Sequence, residues 1–296
     1  MAQSKLNWQS KFVLLVVLPF VAASVVLQAH WWAFEAAPVA IWAIGLSLIL
    51  GMVTLGLRAA TPGAAFAGTV ITASLMFSTV DFPYKPWQTA LVPVLAVFLL
   101  SFITTRIGRR QKEQLGIAER AGGRTASQVA ANLGIAALVS DELPQSWLIS
   151  TGWFSPPGLS PVSLFAVGLA ALAEAAADTV SSEVGQVLGG RPRMITTLRT
   201  VEPGTDGAIS LAGTAAGVFA AGVVALAGSL ALRGGPTMLC VSWAGGGFGL
   251  FFDSLLGATL EQRGWLNNDA VNFLSTASAA GFALGLMAIL PHPGLG

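Results

Sequence analysis

Charge is scarce in this sequence: only 10% of its 296 residues are Asp, Glu, Lys or Arg, against roughly 25% in soluble domains. A chain so poor in charge does not fold with water as its main solvent. It carries one cysteine, Cys240, which excludes an internal disulfide and a multi-thiolate metal site. Its two histidines, His30 and His292, lie near the ends of apolar runs and away from the polar stretches described below, which argues against histidine catalysis and zinc. No Walker-type phosphate loop, no HExxH and no GxSxG occurs. Phosphoryl chemistry in such a chain has to rest on carboxylate-bound magnesium, arginines and backbone amides. A net charge of +1 leaves no basic excess, so nucleic acid is not expected as a partner.

What the chain has in abundance is apolar surface: 54% of residues are hydrophobic, and the mean hydropathy is +0.72. Spread along nearly the whole length, this predicts an all-α, polytopic transmembrane helix bundle forming a single integral membrane domain over 1–296. Spanning ~30 Å of hydrocarbon takes about 20 helical residues. Nine runs fit that ruler, at 12–28, 39–57, 63–79, 88–105, 126–139, 162–180, 209–231, 238–260 and 270–290, the fifth being short. The first follows Lys5 and Lys11 in the manner of a signal peptide, but no compact small-residue cleavage site precedes His30, Trp31 and Trp32, so a retained helix is expected.

Lys and Arg in short loops mark the cytoplasmic side of a membrane protein. With nine helices and the N-terminus inside, that face holds Lys5, Lys11, Arg58, Arg106, Arg109, Arg110, Lys112, Arg120, Arg124, Arg191, Arg193, Arg199 and Arg263, leaving only Lys85 and Arg233 outside. The small-residue spacings Gly213 to Gly217 and Gly281 to Gly285 permit close helix contact.

Four polar stretches meet the same face. The first runs from the basic loop at Arg106 into Gly122, Gly123 and Arg124, with Gln128 and Asn132 on the helix that follows. The second holds Glu174, Asp178, Ser181, Ser182 and Glu183; Glu174 and Asp178 are four apart and share a helix face. Intramembrane carboxylates are costly and face a cavity or a partner, so they serve either a site or a helix-tying ion pair. The third carries Arg193, Thr197, Arg199, Gly204, Thr205 and Asp206 ahead of Ser210 at a helix start. Such Gly turns before a helix suit phosphate, although a capped positive-inside loop has the same pattern. The fourth contains Gly245, Gly246, Gly247 and Gly249, then Asp253, Glu261, Asn267, Asn268 and Asn272. Asp253 in an apolar helix requires a metal or a basic partner, and a magnesium ion shared with Asp178 satisfies that chemistry.

At these stretches the sequence resembles the integral membrane family that includes phytyl-phosphate kinase. The matching segments are GRTASQVAANLG from Gly123, AEAAADTVSSEVG from Ala173, ITTLRTVEPGTDGAISLAGT from Ile195, FFDSLLGATLEQRG from Phe251 and WLNNDAVNFLST from Trp265. The similarity covers 101–296 as a catalytic core, with 1–100 read by hydropathy alone. It departs at Asp206 and Ala208, where the family pattern reads GTNGG. The resemblance implies a kinase that converts an isoprenyl monophosphate to the diphosphate with a nucleoside triphosphate, CTP foremost, and Mg2+. In that reading Asp178 and Asp253, with Glu174, would hold the metal. Glu183 would act as ligand or base, and Arg124, Arg193 and Arg199 would clamp phosphates, helped by Asn132, Thr197, Gly204, Thr205, Asp206 and Asn268. The partners are then the bilayer, an isoprenyl phosphate and a nucleotide. A lipid-alcohol kinase, a cytidylyltransferase or a lipid or solute transporter stand as alternatives.

Overall fold

The computed structural model describes residues 7–114, 116, 122–142, 145–146, 150 and 161–290. Lys5, Arg120 and His292 lie outside the described residues. Among the described residues, nine long helices follow the nine apolar runs: α1 (Asn7–Glu35), α2 (Ala37–Gly56), α3 (Pro62–Ser78), α4 (Leu91–Arg106), then after the short α5 (Arg109–Gln114), α6 (Ala126–Ser140), α7 (Pro161–Leu188), α8 (Leu211–Ala231), α9 (Gly235–Leu256) and α10 (Asn268–Ile289). Six are long and apolar enough to cross a membrane, whereas α3, α4 and α6 have 17, 16 and 15 residues. A two-stranded ribbon, β1 (Arg193–Met194) with β2 (Ala208–Ile209), sits between α7 and α8.

The helix starts follow from local chemistry. Thr125 and Gln128 form a reciprocal capping box at α6. Ser210 caps α8 by accepting from the Gly213 amide at 3.1 Å, and Asn267 caps α10 by accepting from Ala270 at 2.9 Å. Helix ends were less visible to hydropathy than helix existence. The run expected to stop at 180 continues to Leu188, so Ser181, Ser182 and Glu183 ride on the same helix as Glu174 and Asp178. Apolarity ends where the bilayer ends, but the backbone stays helical because its next turns still pack.

Helix α7 is the centre, touching α4, α6, α8, α9 and α10. Its Ala166, Ala170, Ala173, Ala176 and Ala177 are fully or almost fully buried, and small side chains on every face let neighbours approach from all sides. Glycines complete the approach. A Cβ at Gly217 would lie 2.7 Å from the Ala177 carbonyl, and one at Gly246 would lie 2.8 Å from the Ala173 Cβ. Gly281 and Gly285, by contrast, have nothing within 4 Å, so only the first of the two small-residue spacings packs within the chain. The outer faces of α1 and α2 expose Phe12, Leu15, Phe20, Ile41, Trp42 and Met52, an apolar girdle suited to lipid.

All four polar stretches gather at one end of the bundle. That end holds Lys11, Arg58, Arg106, Arg109, Arg110, Lys112, Arg124, Arg191, Arg193, Arg199 and Arg263, whereas Lys85 and Arg233 stand at the other. The opposite end is tied by Asp141, which is buried and accepts from the hydroxyls of Ser24 on α1 and Ser74 on α3.

Candidate active site

Helices α7, α9 and α10 bring three carboxylates together. Glu174 is 1% exposed, and one turn further along the same face Asp178 lies beside Asp253 of α9. The Ser275 side chain on α10 stands beside both Glu174 and Asp253 but donates to the Asn272 carbonyl at 3.0 Å. Among the described residues, neither oxygen of Glu174 nor Oδ1 of Asp253 has a hydrogen-bond partner. Carboxylates in contact inside a bundle need a proton or a cation between them. The glycines of α9 make the convergence possible, since a Cβ at Gly249 would fall on the Glu174 side chain and lie 2.8 Å from the Ala279 Cβ.

Arg124 supplies positive charge beside Asp178. Its guanidinium donates to the Thr179 hydroxyl at 3.1 Å, and its backbone is clamped to the α2–α3 turn: its amide donates to the Ala59 carbonyl and its carbonyl accepts from Thr61, each at 3.0 Å. The preceding Gly123 has φ +74°, and a Cβ there would lie 2.6 Å from the Ala59 carbonyl oxygen. Only glycine brings Arg124 to this place without strain.

Glu183 is held differently from the sequence expectation of a ligand or base. It pairs with Lys112, which is 1% exposed and also donates to the carbonyls of Thr104 at 3.2 Å and Thr105 at 3.3 Å. Asn132 accepts from Asn272 at 3.0 Å, and through Ser275 this buried amide pair adjoins Glu174. Lys112, Thr179 and Ser275 were not singled out as site residues from the sequence; RRQK, ADTVSSEVG and NFLST contain them, but only the fold shows what they face.

The third stretch forms a lobe outside the helices. Arg193, Thr197 and Arg199 are exposed on it and, among the described residues, make no hydrogen bond or ion pair with the carboxylates; Gly204 and Thr205 form its turn, where Thr205 donates to the Glu202 carbonyl at 2.7 Å. The lobe is seated on a π-helical turn, Gly257–Glu261. Gly207 abuts Ala258, and Gln262 donates to the Asp206 carbonyl at 2.9 Å. Glu261 lies near enough to Asp206 on the lobe and to Asp178 in the cluster to feel both charges. Partial desolvation pushes the Asp206 carboxyl above its ordinary value. Asn268 is exposed in the first turn of α10, apart from the cluster.

A divalent cation fits the donor set. Magnesium takes one or two carboxylates and completes its octahedron with water and substrate phosphate, and the unpartnered oxygens of Glu174 and Asp253 are hard donors. Among the described residues no group of three His, Cys, Asp or Glu side chains forms a ready-made metal cage, so a cation here would draw the rest of its shell from a ligand.

No solved structure matches the chain. Among curated proteins, it is 35% identical over 186 residues to an uncharacterized membrane protein of Methanocaldococcus jannaschii, covering 63% of this chain and 71% of that one. An uncharacterized membrane protein of Synechocystis sp. is 35% identical over 214 residues, 68% of this chain and 75% of its own. Protein VTE6, chloroplastic, of Arabidopsis thaliana is 30% identical over 186 residues, 62% of this chain and 54% of its own length. A family model described as integral membrane protein DUF92 matches residues 45–280, reaching back into α2, and the chain therefore belongs to that family of integral membrane proteins.

Proposed function

We propose that the chain is a membrane phosphotransferase that moves the terminal phosphoryl group of a nucleoside triphosphate, CTP foremost, to the phosphate oxygen of an isoprenyl monophosphate, releasing the diphosphate and the nucleoside diphosphate. The observation that carries this reading is the meeting of Asp178 and Asp253, from separate helices, beside Arg124. Motif resemblance to the family that includes phytyl-phosphate kinase supports the choice of substrates.

Bound Mg2+ would neutralise phosphate charge and align the nucleotide. Asp178 and Asp253 would hold it, with Glu174 behind them. Arg124 would bind phosphate oxygens at the edge of the cluster, and the lobe bearing Arg193, Thr197 and Arg199 would cover the nucleotide from the water side. The acceptor is already a phosphate dianion, so it needs no strong base; Glu183, engaged by Lys112, fits a positioning role. The basic end of the bundle is read as the cytoplasmic face by its eleven Lys and Arg residues against two among the described residues, which lets nucleotide enter from the cytosol.

The test is direct assay of purified protein in lipid nanodiscs with magnesium, CTP or ATP, and phytyl, farnesyl or geranylgeranyl monophosphate. Diphosphate product that disappears on chelation and returns with added magnesium is expected. No product from any donor and acceptor pair removes the kinase reading.

A further inference from the structure

Helices α3 and α4 are consecutive yet scarcely touch. Between them, bounded by α2 and α6, runs a cleft of about 140 Å³, an order of magnitude more than the ~10–15 Å³ that one water needs. Its walls are small or apolar, with Ala65, Gly68 and Thr72 of α3 facing Val94, Val97 and Phe98 of α4. Its mouth is basic, lined by Arg58, Arg106, Arg109, Lys112 and Arg124. Glu113 and Glu183 offset Arg109 and Lys112, whereas the Arg58 guanidinium has no hydrogen bond or ion pair among the described residues. Arg58 is held there with φ +54°, a region non-glycine residues rarely enter. Inside, the Ser101 hydroxyl is buried, 8% exposed as a residue, and lacks a hydrogen-bond partner among the described residues.

An apolar slot, an unpartnered hydroxyl within it and a cationic rim together match an amphiphile with an anionic head. We infer that this cleft is the acceptor site, holding a single-chain isoprenyl monophosphate with its phosphate at Arg58 and Arg124 and the first part of its chain between α3 and α4. This assignment of the occupant rests on the kinase reading above. Arg124 joins the two sites, since it lines the cleft and also contacts Thr179 beside Asp178. Three of its four walls are the short helices α3, α4 and α6, which at 1.5 Å per residue span ~22–26 Å, less than the ~30 Å hydrocarbon layer. The rim is thereby drawn toward the lipid boundary, where a phosphate head resides. From Phe102 to Val94 the cleft descends ~12 Å, so it grips only the head-proximal chain and leaves the remainder in the bilayer. Length beyond that depth is then not discriminated.

Photoaffinity labelling with a diazirine-bearing farnesyl monophosphate tests this without nucleotide or turnover. Label is expected on α2, α3, α4 or α6, competed by farnesyl and phytyl monophosphate alike but not by farnesol or inorganic phosphate. An added Cβ at Gly68 meets only Val129, at 3.9 Å, so Gly68→Leu is accommodated at the backbone while its branch fills the slot; labelling should fall at least tenfold. Arg58→Gln, at an exposed position, should weaken competition by the monophosphate about tenfold and serves if the first variant misfolds. Label confined to other helices, labelling indifferent to both variants, no labelling, or equal competition by farnesol or by inorganic phosphate each overturns the inference. Labelling as expected with no turnover instead overturns the kinase reading and leaves a lipid-phosphate site standing.

Discussion

Glu174, Asp178 and Asp253 are placed where charge is expensive, and their arrangement sets the first expectations. Asp178→Asn or Asp253→Asn keeps volume and hydrogen-bonding shape but removes a hard anionic donor. Turnover should fall by a hundredfold or more while the detergent-solubilised protein keeps its melting temperature within a few degrees; near-normal turnover would take that residue out of the metal role. Lys112 and Glu183 behave differently. Breaking a buried pair from one side strands a charge at a cost of ~3–5 kcal/mol, so Lys112→Met should lower thermal stability sharply, and Lys112→Met with Glu183→Gln should recover much of it. A Glu183→Gln variant that alone loses all turnover without loss of stability would restore Glu183 as a base. Glu174 and Asp178 were legible from their four-residue spacing on an apolar helix, and Asp253 as a lone charge within another. The Lys112 partnership was not, because its partner lies 71 residues away and sequence spacing carries no information at that range.

At the scale of elements, α7 shows why alanine fills the segment around the acids. Every larger side chain there would hold α8, α9 or α10 away, and the carboxylates would no longer converge. Gly249 is a tight contact of the cluster, since a Cβ there would fall on the Glu174 side chain and lie 2.8 Å from the Ala279 Cβ and 3.1 Å from the Ser275 carbonyl. Gly249→Val should therefore cost ~1–3 kcal/mol through overpacking and also depress kcat more than the KM for nucleotide, because it displaces Glu174 from Asp253. A stable variant with unchanged kcat would detach that packing from the site. Nine apolar runs foretold nine helices, since ~20 residues are needed to cross a bilayer. Their ends were misjudged by up to eight residues, as at α7, because tertiary packing and caps, not hydropathy, decide where a helix stops.

For the whole molecule, alternation of the nine long helices among the described residues fixes which ends share a side. Asp81 and Arg199 are both exposed and fall at opposite ends. In a Cys240→Ser background, Arg199→Cys should react with an impermeant maleimide only after the cytoplasmic side is opened, and Asp81→Cys should react in sealed cells; the reverse pattern would invert the orientation. The gathering of polar loops at one end was legible from the count of basic residues. The separation of α3 from α4 was not, since neighbouring spans in sequence are by default neighbours in space.

That separation bears on how such a protein meets its substrate. A slot walled by spanning helices is filled from the plane of the bilayer, so what governs its occupancy is the mole fraction of phosphorylated isoprenoid among surrounding lipids, not its amount per volume of solution. Diluting the membrane with inert lipid would slow the protein at constant total substrate, and a small pool confined to a thin patch of membrane would saturate it.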